Sequence, residues 1–376
     1  MENYTIKKWD DLDLKTDLLR GIYSYGFENP SEIQQLAIYP IIQKHDVIAQ
    51  AQSGTGKTGT FSISAIQNTD ISINETQVLI MAPTRELVIQ ISKVIQGISI
   101  FIEGIKVKTL VGGTNVNDDI NYFKNNTPHI VVGTTGRIFD MIKRRKLNIH
   151  TTKLFILDEA DEMLSYGFQS QIQELFQYFN NNIQVAIFSA TMPNEIIRLT
   201  DKFMNNPIKL TMRAETLSLD GITQHYIAMF DNEEKYTWIK NIFNKLSSTS
   251  TIIFVNDINN VIELYQRMLA DGFPVCHIHS SLPKDERNNV INDFKKNKYN
   301  IMISSNLTAR GIDIQQLNLV INYDIPNSVH TYLHRIGRSG RWGRKGTAIN
   351  FVCEKDIQRM KRIEQHYKIN ITEFIM

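Results

Sequence analysis

Five short apolar runs punctuate the first half of the chain: DVIAQA (46–51), QVLIMAP (77–83), HIVVGT (129–134), LFILDE (154–159) and QVAIFSA (184–190). Each is brief, rich in β-branched residues and apolar on both faces, as a parallel strand must be when helices cover it above and below. A strand open to water on one side would alternate instead. Longer amphipathic stretches fill the gaps, and this alternation is the rhythm of a parallel α/β sheet. It pauses at MRAETLSLDGITQ (212–224). It resumes with TIIFVN (251–256), PVCHIHS (274–280), NIMISSN (300–306), LVINYD (319–324) and TAINFV (347–352). In NVIELYQRML, Val261, Leu264, Tyr265, Met268 and Leu269 recur at helical spacing. With 376 residues, either half can build its own core. We expect two α/β domains, 1–212 and 223–376, joined by a linker at 213–222.

The first strand runs into AQSGTGKT (51–58), and a helical stretch follows. That is the setting in which a phosphate-binding loop makes physical sense: backbone N–H groups and a helix N-terminus converge on the anion. Gly54 and Gly56 permit close backbone approach. Lys57 reaches the β- and γ-phosphates, and the Thr58 hydroxyl suits Mg²⁺. The general pattern opens with Gly, and here Ala51 stands in its place. A glycine-rich turn before a helix is the bland alternative; the flanking strand and helix favour nucleotide.

A second acidic component belongs at the end of a later strand. LFILDEADE provides Asp158 directly after four apolar residues, on the rim where open α/β sheets gather ligands. Asp158 is placed on Mg²⁺, and Glu159 is placed to polarise the attacking water. Glu162 has no assigned chemistry and is expected at the surface. In the second half, HRIGRSGR (334–341) packs three arginines among glycines. Alone it reads as a basic surface loop. Beside a phosphate loop it reads as arginine fingers, which accelerate phosphoryl transfer by about 10³–10⁵.

Composition narrows the setting without naming a partner. The formal net charge is +2, so any nucleic-acid site must be a local groove. Two cysteines, Cys276 and Cys353, supply neither a disulfide framework nor a CxxC metal pair, which fits a reducing compartment. The charged start MENYTIKKWDDLDL lacks the apolar core of a signal peptide. No run is long enough to span a bilayer. We expect a cytoplasmic protein, with the nucleus as the alternative, and no membrane association.

AQSGTGKT, PTREL (83–87), GG (112–113), DEAD (158–161), SAT (189–191), ARGID (309–313) and HRIGRSGR occur in the order and spacing of the DEAD-box RNA helicases. GFENPSEIQ (26–34) resembles the Q motif that precedes the phosphate loop in that family. The resemblance extends from Trp9 to the end, and phrases such as DVIAQAQSGTGKT and GRKGTAINFV are similar to the initiation factor 4A branch. It implies two tandem RecA-like domains and an ATP-dependent RNA helicase using ATP and Mg²⁺. It implies that Gln34 reads the adenine, with Trp9 stacked on it and Asn29 nearby. Ser53, Gly54, Thr55 and Gly56 line the phosphates with Lys57 and Thr58. Gly311 and Asp313 contact the nucleotide from the second domain, and Arg338 and Arg341 are the fingers. Asp161 links to Ser189 and Thr191, and His334 supports coupling between ATP and RNA. RNA contacts fall to Pro83, Thr84, Arg85, Gly113, Thr134, Gly136 and Arg137, and to Asn256 and Ser304. Such sugar-phosphate contacts carry no base code, so the expected partner is single-stranded or short duplex RNA of any sequence. The chain is expected to act as a monomer, with protein cofactors that set domain closure. An ATP-gated RNA clamp with little unwinding and a DNA translocase are the alternatives.

The chain departs from the family pattern on the RNA side. Thr135 stands where Pro is usual, Asp257 and Ile258 where Thr and a basic residue are usual, and Lys284 where Gln is usual. HSSL (279–282) replaces the usual His-Gly-Asp or His-Gly-Gly, and Asn306 stands where Asp is common. These changes predict weaker RNA affinity with ATP hydrolysis retained. His277 and His279 share a strand face, as a metal pair would, but without a third ligand an ordinary strand is the better reading. The basic IKRRKLNIH (142–150) reads as a solvated helix end.

Overall fold

The computed structural model describes residues 6–52, 54–165, 167–212, 222–245, 250–305, 317–337 and 346–374. The backbone divides into two compact units, Met1–Arg213 and Ala214–Met376. The first unit is a seven-stranded sheet of β1 (Val47–Gln50), β2 (Val78–Met81), β3 (Val107–Leu110), β4 (Ile130–Gly133), β5 (Leu154–Leu157), β6 (Gln184–Ser189) and β7 (Ile208–Thr211). Their spatial order is β3-β4-β2-β5-β6-β1-β7, and every pairing is parallel. The second unit repeats the plan with β8 (Ile222–Met229), β9 (Thr251–Phe254), β10 (Val275–Ile278), β11 (Ile301–Ser304), β12 (Leu319–Asn322), β13 (Gly346–Cys353) and β14 (Thr372–Glu373). Their order is β10-β11-β9-β12-β13-β8-β14, again parallel.

The apolar runs become two-sided strands because each sheet has helices on both faces. In the first unit Val78, Ile80, Ile130, Val132, Leu154 and Ile156 point into one core. Their neighbours Leu79, Met81, Val131, Phe155 and Leu157 point into the other. Alternate residues therefore serve opposite cores, and the polar Gln184 and Ser189 stand at the two ends of β6 and are hydrogen-bonded.

Register sets the rim. Gly133 pairs with Met81, Met81 with Leu157, and Gln50 with Ser189. The residues that leave the carboxyl ends of the strands are Thr134, Ala82, Asp158, Ala190 and Ala51, with β6 and β1 running two residues past the level at which Leu157 pairs with Ile187. The segments TTGR, PTREL, DEAD, SAT and the phosphate loop thus emerge along one edge of one sheet. Among the described residues, no helix is long and apolar enough to cross a membrane. Cys276 and Cys353 are free and buried.

Candidate active site

The phosphate loop leaves β1 at Ala51, whose N–H donates to Ser189 O at 3.0 Å, extending the ladder by one residue. Ala51 lies outside the left-handed region, so glycine is not required there. Gly54 (φ +88°) and Gly56 (φ +104°) do occupy it. A Cβ on Gly56 would come within 2.5 Å of Ser31 Oγ. The helix Lys57–Gln67 starts with Gly56 as its cap and no capping side chain, so its first N–H groups face the loop. Thr55 Oγ1 donates to Gln52 O at 2.8 Å, and Thr58 is half-buried. Gln34 ties the preceding motif to the loop. Its Oε1 accepts from Ser31 N at 2.7 Å and its Nε2 donates to Gly56 O at 3.3 Å. Asn29 is exposed.

Opposite the loop, Asp158, Glu159 and Asp161 are all buried, and Lys57 Nζ reaches Glu159 Oε1 at 3.5 Å. Burial pushes the Lys57 ammonium down in pKa, but the carboxylates of Glu159, Asp158 and Asp161 more than offset that, leaving it above the ordinary lysine value. Burial and the charge of Glu159 push the Asp158 carboxyl up to about 7. The pocket holds more negative charge than one ammonium neutralises, a setting that suits a divalent cation. Glu159 has φ +50°, a conformation that costs a non-glycine residue on the order of 1 kcal/mol. Its Oε2 is buried with no hydrogen-bond partner. A strained backbone and an unused buried carboxylate oxygen on the same residue are features of a working site.

Asp161 joins the segment after β6. Its Oδ2 accepts from Thr191 N at 3.1 Å and Thr191 Oγ1 at 2.7 Å. Ser189 Oγ accepts from Asp161 N at 3.2 Å and donates to Thr191 O at 2.7 Å.

Glu162 and Trp9 are both more deeply enclosed than expected. Glu162 was expected at the surface but is 2% exposed. The short helix Ala160–Ser165 packs on β6 and on the helix Asn194–Phe203, which encloses the position. Trp9 was expected to stack on adenine, yet it is 0% exposed inside the core, with Nε1 donating to Phe27 O at 2.9 Å. The larger indole ring carries an N–H that must be paired when buried, and the Phe27 carbonyl meets that need. Phe27 is the half-buried aromatic beside the loop. A Cβ on Gly59 would lie 2.5 Å from Gln34 Nε2 and 3.1 Å from Phe27 Cε2. Sequence reasoning missed Phe27, although its place within GFENPSEIQ was the available signal.

The RNA candidates separate into two groups. Gly113 and Gly136 are exposed, and Pro83, Arg85 and Thr134 are half-buried. Gly113 has φ +71°, and a Cβ there would meet Arg85 Nη1 at 2.4 Å. Thr84 caps the helix Arg85–Ile98 by accepting from Leu87 N. Arg137, expected on RNA, is buried against Asp119, and its Nη2 donates to Thr114 O at 2.7 Å. Asp119 also holds Lys108 Nζ at 2.8 Å. Arg137 therefore clips the 111–115 turn to the helix Thr135–Lys143 rather than presenting free charge. Ser304 is fully buried, with Oγ donating to Ser305 O at 2.8 Å. Asn256 spends its N–H on Asp324 Oδ2 and its Nδ2 on Ile325 O, while its Oδ1 accepts from Arg335. The Ser304 hydroxyl is thus already committed, and Asn256, half-buried, has one Nδ2 hydrogen beyond the bond to Ile325 O.

Asp257, one of the departures, caps the helix Ile258–Ala270 by accepting from Asn259 N at 2.8 Å and Asn260 N at 3.4 Å. His277 and His279 stack at 5.3 Å with Tyr265 over His277 at 4.1 Å. Among the described residues no third ligand completes a metal site with them. Arg144 closes the helix Thr135–Lys143 and pairs with Asp140 at 2.7 Å on the surface. His334 is buried in the helix Val329–Ile336. Ser53, Asn306, Gly311, Asp313, Arg338 and Arg341 lie outside the described residues, as does the side chain of Lys284.

Residues 31–199 match the model of the DEAD/DEAH box helicase family, and residues 234–343 match the helicase conserved C-terminal domain. The chain is 49% identical over 368 residues to the ATP-dependent RNA helicase eIF4A of Eremothecium gossypii, spanning 98% of this chain and 92% of that protein. It is 47% identical over the same shares to eIF4A of Saccharomyces cerevisiae. Among solved structures it is similar to S. cerevisiae Dbp5 bound to RNA and ADP BeF3. That match has a TM-score of 0.89 and 32% identity, covering 98% of this chain and 96% of the other.

Proposed function

Because this chain belongs to the DEAD-box family and is an ATP-dependent RNA helicase of the eIF4A kind, we propose how its residues divide the work. The buried Lys57–Glu159 pair on the rim of the first sheet carries the proposal. Lys57 and the N–H groups of Gly54, Thr55 and Gly56 hold the triphosphate, with Ser53 completing the loop. Phe27 stacks on adenine, and the remaining donor and acceptor capacity of Gln34 reads its edge. Thr58 and Asp158 hold Mg²⁺, which when bound shields charge on the β- and γ-phosphates. Glu159 Oε2 accepts a proton from the attacking water as the bond between γ-phosphorus and ADP breaks. Arg338 and Arg341 stabilise the charge on the transferring group, with Gly311 and Asp313 on the nucleotide. Asp161, Ser189, Thr191 and His334 carry the nucleotide state toward RNA, which Gly113, Thr134, Gly136, Pro83 and Arg85 contact at its backbone.

We also place the activity in the cytoplasm, on RNA engaged in translation initiation, performed by a monomer whose turnover protein cofactors adjust. The clamp reading is not favoured, because relatives named as helicases align over 98% of the chain. The test is ATP hydrolysis with and without single-stranded RNA, together with separation of a short RNA duplex. Glu159→Gln should lower RNA-stimulated turnover by at least about 10² while ATP-dependent RNA binding persists. Normal hydrolysis by that variant would remove Glu159 from its role.

A further inference from the structure

A fully buried lysine in the second unit has no part in the scheme above. Lys235 is 1% exposed, on the helix Asn232–Lys245. Its Nζ donates to Tyr323 O at 2.8 Å and to Asp324 Oδ1 at 3.0 Å, and it lies 4.8 Å from the Tyr323 ring centroid. Both partners stand just past the end of β12. The same turn is gripped from its other side by Arg335, which is 0% exposed. Arg335 Nη1 donates to Asp324 O at 2.7 Å and Asn322 Oδ1 at 3.1 Å, and its Nη2 donates to Asn256 Oδ1 at 2.6 Å. Asp324 Oδ2 takes the N–H of Asn256 at 3.0 Å. The ends of β9 and β12 and the helix Val329–Ile336 are thereby locked to one another by two buried cations at one turn, Lys235 on the Asp324 carboxylate and Arg335 on its main-chain carbonyl.

Arg335 sits in the last turn of that helix, three residues before Arg338. Burying a lysine and an arginine together is costly unless each is fully hydrogen-bonded. An apolar pair would pack this turn at less expense, so the arrangement points to geometry rather than stability. We infer that Lys235 is a positioning residue for ATP hydrolysis. It fixes the 323–324 turn, the turn holds Arg335, and Arg335 anchors the last turn of the helix Val329–Ile336, which the arginine run follows in sequence. This rests on the reading of Arg338 and Arg341 as the charge-stabilising arginines.

Lys235→Met alone strands the Asp324 carboxylate and is expected to unfold the unit or lower its melting temperature. The paired variant Lys235→Met/Asp324→Asn removes both charges and keeps the shape. It should fold, bind a fluorescent ADP analogue like the parent, and keep its RNA half-saturation and KM for ATP within about twofold. Its kcat with saturating single-stranded RNA should fall about tenfold. A merely structural pair would shift the melting temperature and leave kcat of the folded protein alone. Arg338→Ala, measured beside it, separates the two readings. Parent-like turnover by Arg338→Ala overturns the arginine assignment. An inactive Arg338→Ala beside a parent-like paired variant overturns the role of Lys235.

Discussion

Phe27 is half-buried and Trp9 fully buried, and on the proposed reading the adenine falls to Phe27. Trp9 is sealed in the core and supports Phe27, with ring centroids 6.5 Å apart. Phe27→Ala should raise KM for ATP about tenfold while leaving the melting temperature nearly unchanged, because a stacked pair is worth about 0.5–1.5 kcal/mol. Trp9→Ala should instead cost about 3–5 kcal/mol of stability. Thermal melts and nucleotide titrations of the two variants distinguish these outcomes, and reversed results would restore Trp9 to the adenine. Thr135 offers a second residue-level test. Its Oγ1 is buried without a hydrogen-bond partner at the first position of its helix. Thr134 before it is extended, at φ −83° and ψ 148°, which proline requires of its predecessor. Thr135→Pro should therefore stabilise the first unit by about 0.5–1 kcal/mol, read as a raised midpoint in urea.

At the scale of elements, the apolar middle positions of the central strands tolerate little that is smaller. Ile156 on β5 is fully buried between β2 and β6. Ile156→Ala should cost about 2–5 kcal/mol, and denaturant unfolding would show it. The edge strand β3 is pinned differently: Lys106 N, just before it, donates to His129 Nδ1 at 3.0 Å beside β4. His129 is buried, and burial, with Lys106 nearby, holds its pKa below the ordinary 6.5. Only a neutral imidazole can accept that bond. The unfolded chain binds the proton more readily, so stability should be full above about pH 6.5 and fall as the pH drops below it. His129→Asn keeps an acceptor and removes the titration. It should flatten the difference between unfolding curves at pH 7.5 and 5.5, and an unchanged difference would assign the effect elsewhere.

For the whole molecule, the decisive quantity is how much charge faces RNA. The net charge is +2, and Arg137 spends its guanidinium on Asp119 and Thr114. On the proposed reading, contacts from Gly113, Gly136, Pro83 and Thr134 with Arg85 as the cation among them release few counterions. RNA binding should weaken with salt at a logarithmic slope no steeper than about −3. Fluorescence anisotropy across a KCl series measures it, and a slope near −6 would show that several cations neutralise phosphate after all.

The alternation of apolar runs was enough to specify two parallel α/β units, because central strands buried on both faces leave no freedom in composition. The strands it did not reveal, β3, β7, β8 and β14, lie at or next to sheet edges, where half-exposed positions blur the pattern. Motif spacing likewise identified the phosphate loop and the acidic rim, since chemistry dictates those residue types in that order. Tertiary structure decided which side chains were still free to act. It buried Trp9 and Glu162, turned Arg137 onto Asp119 and Thr114, and left Phe27 half-buried beside the loop. A residue's type states what it can bond to; only the packing around it determines whether those bonds are already made.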